Sequence, residues 1–137
     1  MSRYLLDTNI ASFVMRGRHP EITARLGALP TSSIVISAVT QGELIYGLAR
    51  HGYPKRLQER IRRFLARVRT LPWDDGVARI YGDLRATWSR LGLVLGPLDM
   101  MIAAHAVAAD AILVTRDKAF LRVPEPLRCE DWIAQTN

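Results

Sequence analysis

The chain alternates short apolar runs with longer segments in which apolar residues recur every three or four positions. Short runs rich in β-branched residues are typical of buried strands, and the longer spacing is typical of helices. The clearest helix is predicted over Pro54–Arg69, where five apolar residues from Leu57 to Val68 fall on one face. The other predicted helices are Ile10–Met15, Glu21–Leu29, Ala38–Ala49, Val77–Leu91 and Leu98–Ala109, with a short one around Trp132, and the predicted strands are Tyr4–Leu6, Ser33–Ile36, Ile112–Val114 and a final one near Leu127–Cys129.

Strands that alternate with helices predict an α/β fold, with a short, mainly parallel sheet flanked by helices. No repeat, low-complexity run or linker interrupts the chain, so residues 1–137 are interpreted as a single domain. No run of 18 apolar residues occurs and the first residues lack a secretory apolar core, so we expect neither a membrane span nor a leader. Because Cys129 is the only cysteine, an internal disulfide is excluded and a cytoplasmic location is expected.

The excess of basic residues bears on whether the chain binds a polyanion. Lysine and arginine number 19 against 13 acids, a net charge of +6, and 17 of the 19 are arginine, whose planar fork matches phosphate oxygens. A polyanionic partner fits this composition, and so does a merely solvated basic surface. The same two interpretations are open for the basic face of the Pro54–Arg69 helix, where Arg56, Arg60, Arg63 and Arg67 are the candidate phosphate contacts.

Four acidic residues occupy related places in the predicted topology. Asp7 directly follows the first strand, and Asp117 comes three residues after the Ile112–Val114 strand. Glu43 lies in the first turns of the helix after the second strand, and Asp99 lies in the first turn of its helix. Ligands of an open parallel sheet bind beyond the carboxyl ends of its strands, so Asp7, Glu43 and Asp117 are predicted to meet there, and Asp99 joins them if its helix starts at that edge.

Carboxylates brought together repel one another unless a cation compensates their charge. Mg²⁺ is the natural cation, with Mn²⁺ as a possible substitute, because it prefers oxygen ligands and keeps several waters. Such a site can activate a water for attack on a phosphodiester, which suits a basic protein. Each acid also has a simpler interpretation: Asp7 as a helix N-cap, Asp99 as a partner of the helix dipole, Glu43 as a surface helix residue and Asp117 as a turn or cap residue.

Four segments carry a resemblance to a known family. They are YLLDTNIAS at 4–12, ISAVTQGELIYGL at 36–48, LGPLDMMIAAHA at 95–106 and ILVTRDKAFLRVP at 112–124. With these four segments in this order, the chain resembles the PIN-domain nucleases, in particular the VapC and FitB-like toxins of type II toxin–antitoxin systems. The resemblance implies an acidic magnesium pocket made of Asp7, Glu43, Asp99 and Asp117, with Thr115 orienting the last acid by a hydrogen bond. Many relatives have asparagines where this chain has Arg116 and Asp117, so Asp117 is the weakest match.

The resemblance further implies a magnesium-dependent endoribonuclease, a homodimer and a cognate antitoxin whose C-terminal segment occupies a groove near the site. The arginines of the Pro54–Arg69 helix would then contact RNA. Two alternatives stay open: a metal-dependent phosphodiesterase acting on DNA or in RNA maturation, and a catalytically silent RNA- or protein-binding module. His105 is expected to be structural, and no nucleotide-cofactor motif is present.

Overall fold

A computed structural model describes residues 2–133 of the chain. The helices among these residues are α1 (Thr8–Arg16), α2 (Pro20–Gly27), α3 (Ala38–Arg50), α4 (Lys55–Arg67), α5 (Asp75–Arg90) and α6 (Pro97–Ala108), and the strands are β1 (Arg3–Leu6), β2 (Ile34–Ser37), β3 (Arg69–Leu71), β4 (Ala111–Val114) and β5 (Cys129–Glu130). Short 3-10 turns cover Thr31–Ser33 and Lys118–Arg122. No helix within residues 2–133 is both long and apolar enough to cross a membrane.

The five strands form one sheet in the order β3-β2-β1-β4-β5, and every neighbouring pair is parallel. The central strand, β1, pairs with β4 from Arg3 opposite Ala111 to Leu6 opposite Val114. Parallel neighbours need crossover connections, which the helices supply. All strands therefore end at the same edge of the sheet. The expected α/β class with a parallel sheet flanked by helices is confirmed.

The core lies on both faces of this sheet. Along β1, Leu5 contacts one cluster, together with Trp88 of α5 and the alanine-rich face of α6. Leu6 points to the other face, where it joins Ile10 of α1 and Phe64 of α4. Because strand side chains alternate between faces, strands covered on both sides carry continuous apolar runs, as the three central strands β2, β1 and β4 do. The packing on both faces makes the sheet a rigid base for residues at its carboxyl edge.

The sequence prediction differs from the structure in three places. The helix predicted over Pro54–Arg69 ends at Arg67, because Val68 is already extended (φ −110°, ψ 150°) and leads into β3, which the prediction missed. Val68 packs against the core although its backbone is extended. Its apolar side chain therefore fits the helical pattern and does not indicate that the helix has ended. The last strand is Cys129–Glu130 rather than Leu127–Cys129, and the described residues around Trp132, up to Ile133, are not helical.

Candidate active site

Asp7 ends the central strand and begins α1. Its Oδ1 accepts a hydrogen bond from the Ile10 backbone N–H at 2.8 Å, so the side chain is the N-cap of the helix. Only 6% of Asp7 is exposed. Burial raises the pKa of Asp7 above its usual value of 3.8, and the charges of Asp99 and Asp117 raise it further, against opposing hydrogen bonds from Thr115 and Ile10.

Glu43 lies on α3, which begins directly after β2 with Ser37 as its N-cap. The carboxylate is partly buried, and its Oε1 accepts a hydrogen bond from the Thr8 hydroxyl at 2.6 Å. The Thr8 oxygen also lies 3.1 Å from the Thr40 hydroxyl oxygen. Glu43 is therefore held toward the start of α1, next to Asp7.

Asp99 lies in the first turn of α6, after Pro97 at the start of the helix. A carboxylate is well placed there because the positive end of the helix dipole favours negative charge. Burial nevertheless raises the pKa of Asp99, and the charges of Asp117 and Glu43 add to the increase. The net environment of Asp99 therefore disfavours its ionised form.

Asp117 lies beyond the end of β4, at an exposed turn. Its backbone N–H donates to the Thr115 hydroxyl at 3.0 Å. Its own Oδ1 accepts from the Ala119 backbone N–H at 2.9 Å and caps the 3-10 turn that follows. The Thr115 hydroxyl thus accepts the backbone N–H of Asp117, and it also acts to lower the pKa of Asp7.

The four carboxylates are coupled electrostatically in pairs near the carboxyl edge of the sheet. Charge on Asp117 raises the pKa of both Asp7 and Asp99, and charge on Glu43 raises the pKa of Asp99. Within residues 2–133, no three acidic, histidine or cysteine side chains form a ready-made inner coordination shell. The donor set still fits Mg²⁺, which is typically held by one or two carboxylates directly and keeps its other ligands as water.

Two other polar groups near the site are structural. His105 of α6 is 1% exposed, and its Nδ1 lies 2.7 Å from the Ser37 hydroxyl oxygen, so the residue joins α6 to the end of β2. Burial lowers the pKa of His105, with a smaller opposing effect from Asp74. Cys129 is half-buried, and burial together with the charge of Asp7 raises its pKa to about 11, so its thiol stays protonated at neutral pH.

A groove between α1, α2 and α4 collects basic side chains. Three of the four arginines predicted as phosphate contacts line it, namely Arg60, Arg63 and Arg67, together with Arg16 of α1. Arg56 is exposed and does not line this groove. The floor is apolar and is formed by Val14, Leu26, Ile34, Phe64 and Val68.

A second, polar groove leads away from the carboxylates between α1 and α3. Thr8 and Glu43 line its inner end, and Arg16 and Arg50 line it farther along α1 and α3. It meets the arginine-rimmed groove at Arg16 and Met15, which line both.

The sequence analysis did not identify Arg16, Thr8 or Thr40 as residues near the site. The sequence pattern that could have indicated the two threonines is that Thr8 follows Asp7 and that Thr40 precedes Glu43 by three helical positions.

Comparison with known proteins identifies the family of the chain. A PIN domain family model matches residues 4–126. The chain is 36% identical over 133 residues to the tRNA(fMet)-specific endonuclease VapC of Salmonella typhimurium, covering 96% of this chain and 99% of that protein. It is 36% identical over 134 residues to ribonuclease VapC2 of Haemophilus influenzae, covering 97% of this chain and 100% of that one.

Among solved structures, DNA-bound VapBC of Salmonella typhimurium has a TM-score of 0.88 at 35% identity, covering 96% of this chain and 99% of that one. FitAcB of Neisseria gonorrhoeae has a TM-score of 0.81 at 29% identity, covering 94% and 97%. The chain therefore belongs to the PIN-domain family.

Proposed function

We propose that this protein is a magnesium-dependent endoribonuclease and the toxin of a toxin–antitoxin pair. The observation that carries the proposal is the electrostatic coupling of four carboxylates at one sheet edge, on a chain with a net charge of +6. Repulsion of this kind persists in a folded protein when a cation relieves it during function. The relatives named as VapC ribonucleases support RNA as the substrate class.

The carboxylates would divide the work of holding Mg²⁺. Asp7 and Asp99 would bind the ion most directly, and Glu43 and Asp117 would complete the pocket. Bound magnesium would supply a Lewis acid that favours ionisation of the attacking water and stabilises the charge of the phosphodiester transition state. Asp7 is held by its cap to Ile10 and Glu43 by Thr8, so both would meet the ion with little loss of side-chain freedom.

The polar groove between α1 and α3 is the proposed path of the RNA strand. It opens beside Glu43 and carries Arg16 and Arg50, whose guanidinium groups would bind flanking phosphates. Arg60, Arg63 and Arg67 lie farther along, where the two grooves meet at Arg16. Contacts of this kind make affinity fall as salt rises, so we propose that replacing these arginines reduces the salt dependence of RNA binding.

The arginine-rimmed groove also suits a protein partner, because its floor is apolar. We propose that a cognate antitoxin inserts apolar side chains there and places acidic side chains against the arginines. VapBC and FitAB complexes among the structural relatives support such a partner. An antitoxin seated there would also cover Arg16 and so compete with the RNA strand.

A homodimer is a further proposal, and exposed apolar side chains support it. Val94, in the connection between α5 and α6, is 92% exposed, and Leu121 of the neighbouring 3-10 turn is 76% exposed. The two segments line one depression, to which Val94 contributes from the connection and Ala119 and Arg122 contribute from the turn. Light scattering on the purified, antitoxin-free chain would measure its mass; a monomer at micromolar concentration would contradict the dimer.

The deciding experiment is cleavage of total bacterial RNA by the purified, antitoxin-free protein, with magnesium and with EDTA. Asp7→Asn removes one proposed ligand, and Asp83→Asn on the exposed face of α5 is the matched control. We expect discrete cuts that require magnesium and Asp7 and are unaffected by Asp83→Asn. A parallel panel of single- and double-stranded DNA tests the phosphodiesterase alternative. No cleavage of any substrate by folded, magnesium-loaded protein would favour a binding module instead.

A further inference from the structure

Two threonine hydroxyls form a chain that ends on Glu43. Thr8, the first residue of α1, donates to Glu43 Oε1 at 2.6 Å, and the Thr40 oxygen lies 3.1 Å from the Thr8 oxygen. A hydroxyl has one proton, and an ionised carboxylate can only accept. Thr8 therefore gives its proton to Glu43, and Thr40 must be the donor to Thr8. The direction of the chain is thus fixed from Thr40 to Thr8 to Glu43.

The chain is built into the fold rather than onto its surface. Thr40 has no exposed surface, and Thr8 is partly buried. Thr40 lies one turn before Glu43 on α3, whereas Thr8 belongs to α1 and follows Asp7 directly. The hydrogen bond therefore crosses between two helices and ties the Glu43 carboxylate to the segment that holds Asp7.

Glu43 needs this support more than Asp7 and Asp117 do. Asp7 and Asp117 have short side chains, each fixed by a backbone N–H in its own turn. Glu43 has one more rotatable bond and projects from the middle of a helix, where no backbone N–H is available to it. Without Thr8, its carboxylate would sample several rotamers. With Thr8, Oε1 is fixed and Oε2 is left for a ligand.

We infer that Thr8 and Thr40 are positioning residues that hold Glu43 ready for a divalent cation and so set the metal affinity of the site. The inference rests on the proposed function, since it takes Glu43 to be part of a magnesium site. Outer-shell hydrogen-bond partners of metal ligands typically contribute about 10–100-fold to metal affinity. A merely structural role, in which the hydroxyls only join α1 to α3, predicts no such effect on the affinity of folded protein.

The test is titration of the purified chain with magnesium chloride by calorimetry, beside RNA cleavage and thermal unfolding in EDTA. We expect Thr8→Val to weaken magnesium binding by about 10-fold or more, and Thr8→Ser to restore it to within about 3-fold. Thr23→Val, at an exposed position of α2, is the control and should bind like the wild type. Because Thr8→Val leaves the buried Thr40 hydroxyl without its acceptor, Thr8→Val/Thr40→Val removes both groups and protects the fold. That double variant should show the same loss of affinity.

A double-mutant cycle shows whether Thr8 acts through Glu43. In a Glu43→Ala background, adding Thr8→Val should change magnesium affinity by less than about 2-fold, because the group that Thr8 positions is already gone. Equal affinities of wild type and the Thr8→Val/Thr40→Val variant would overturn the inference and leave the proposed function standing. A wild-type protein that neither binds magnesium nor cleaves RNA would overturn both.

Discussion

Replacement of Asp7 by asparagine should stabilise the metal-free protein while abolishing its activity. Burial and the charges of Asp99 and Asp117 hold the pKa of Asp7 above its usual value of 3.8, so at neutral pH the folded state carries a charge that its surroundings disfavour. Asparagine resembles the neutral form of the side chain. It also keeps an Oδ1 that can accept the Ile10 N–H bond, so the N-cap survives.

Comparison with Asp7→Ala gives the magnitude. Both substitutions remove the charge, but alanine also removes the 2.8 Å cap to Ile10. Loss of an N-cap costs about 1 kcal/mol, within a range of roughly 0.5–2. For a chain of 137 residues this corresponds to a difference in melting temperature of roughly 3–4 °C. Without metal, Asp7→Asn should therefore have the highest free energy of unfolding of the three proteins, above both the wild type and Asp7→Ala.

The assay is thermal and urea unfolding in EDTA between pH 5 and pH 8, repeated with magnesium. A carboxyl whose folded pKa is raised binds more protons in the folded than in the unfolded state above pH 3.8, so Asp7 gives the stability of the wild type a slope that increases as pH falls, opposite in sign to the contribution of His105. Asp7→Asn should flatten that slope. Magnesium at about 100 times its Kd should stabilise the wild type by about 2.7 kcal/mol, and both variants should lose most of that gain.

Two results would refute this reasoning. If Asp7→Asn is less stable than the wild type in EDTA at pH 7, the charge of Asp7 is not disfavoured in the fold. If Asp7→Asn and Asp7→Ala unfold together, the Ile10 cap does not contribute to stability.

Three further substitutions separate function from packing. Asp99→Asn should abolish magnesium-dependent RNA cleavage with the fold retained by circular dichroism, whereas Asp83→Asn should cleave normally; equal activities would remove Asp99 from the site. His105→Leu leaves the buried Ser37 hydroxyl only its capping bond from the Val39 N–H and should cost about 1–3 kcal/mol in urea unfolding at pH 8. Because burial lowers the pKa of His105, the wild type's advantage should shrink as pH falls below 6.5, and a pH-independent difference would contradict a neutral buried imidazole. Trp88→Ala should cost about 3–5 kcal/mol, since this side chain is only 2% exposed; a loss below about 1 kcal/mol would mean that the α5 face of the core is loosely packed.

Much of the fold was predictable because its strands are buried on both faces and its helices are amphipathic. The continuous apolar runs of β1, β2 and β4 are typical of central parallel strands. The edge strand β3 gave no such signal, because it is three residues long and only Leu71 is buried. Its extended backbone is stabilised by pairing with β2, a tertiary contact that no local pattern contains.

The placement of three acids after strands could be predicted from topology, but the contacts that orient the side chains could not. Asp7, Glu43 and Asp117 each follow a strand, and the strand order brings those ends to one edge. Which hydroxyl meets which carboxylate depends on how α1 packs against α3. The Thr8–Glu43 bond spans 35 positions in the sequence, so periodicity and spacing could not indicate it.

The structure also changes how the simpler interpretations of these acids should be weighed. From the sequence, a helix N-cap and a metal ligand are competing roles for Asp7, and the same holds for a turn cap at Asp117. In the fold, only one oxygen of each carboxylate accepts a hydrogen bond from a backbone N–H. Asp7 Oδ1 accepts from Ile10, and Asp117 Oδ1 accepts from Ala119. A carboxylate has two oxygens, so the cap fixes the orientation of the group without consuming its capacity to bind a cation. Capping and ligation are therefore compatible roles, and an acidic cap at the carboxyl end of a parallel strand does not count against a metal site.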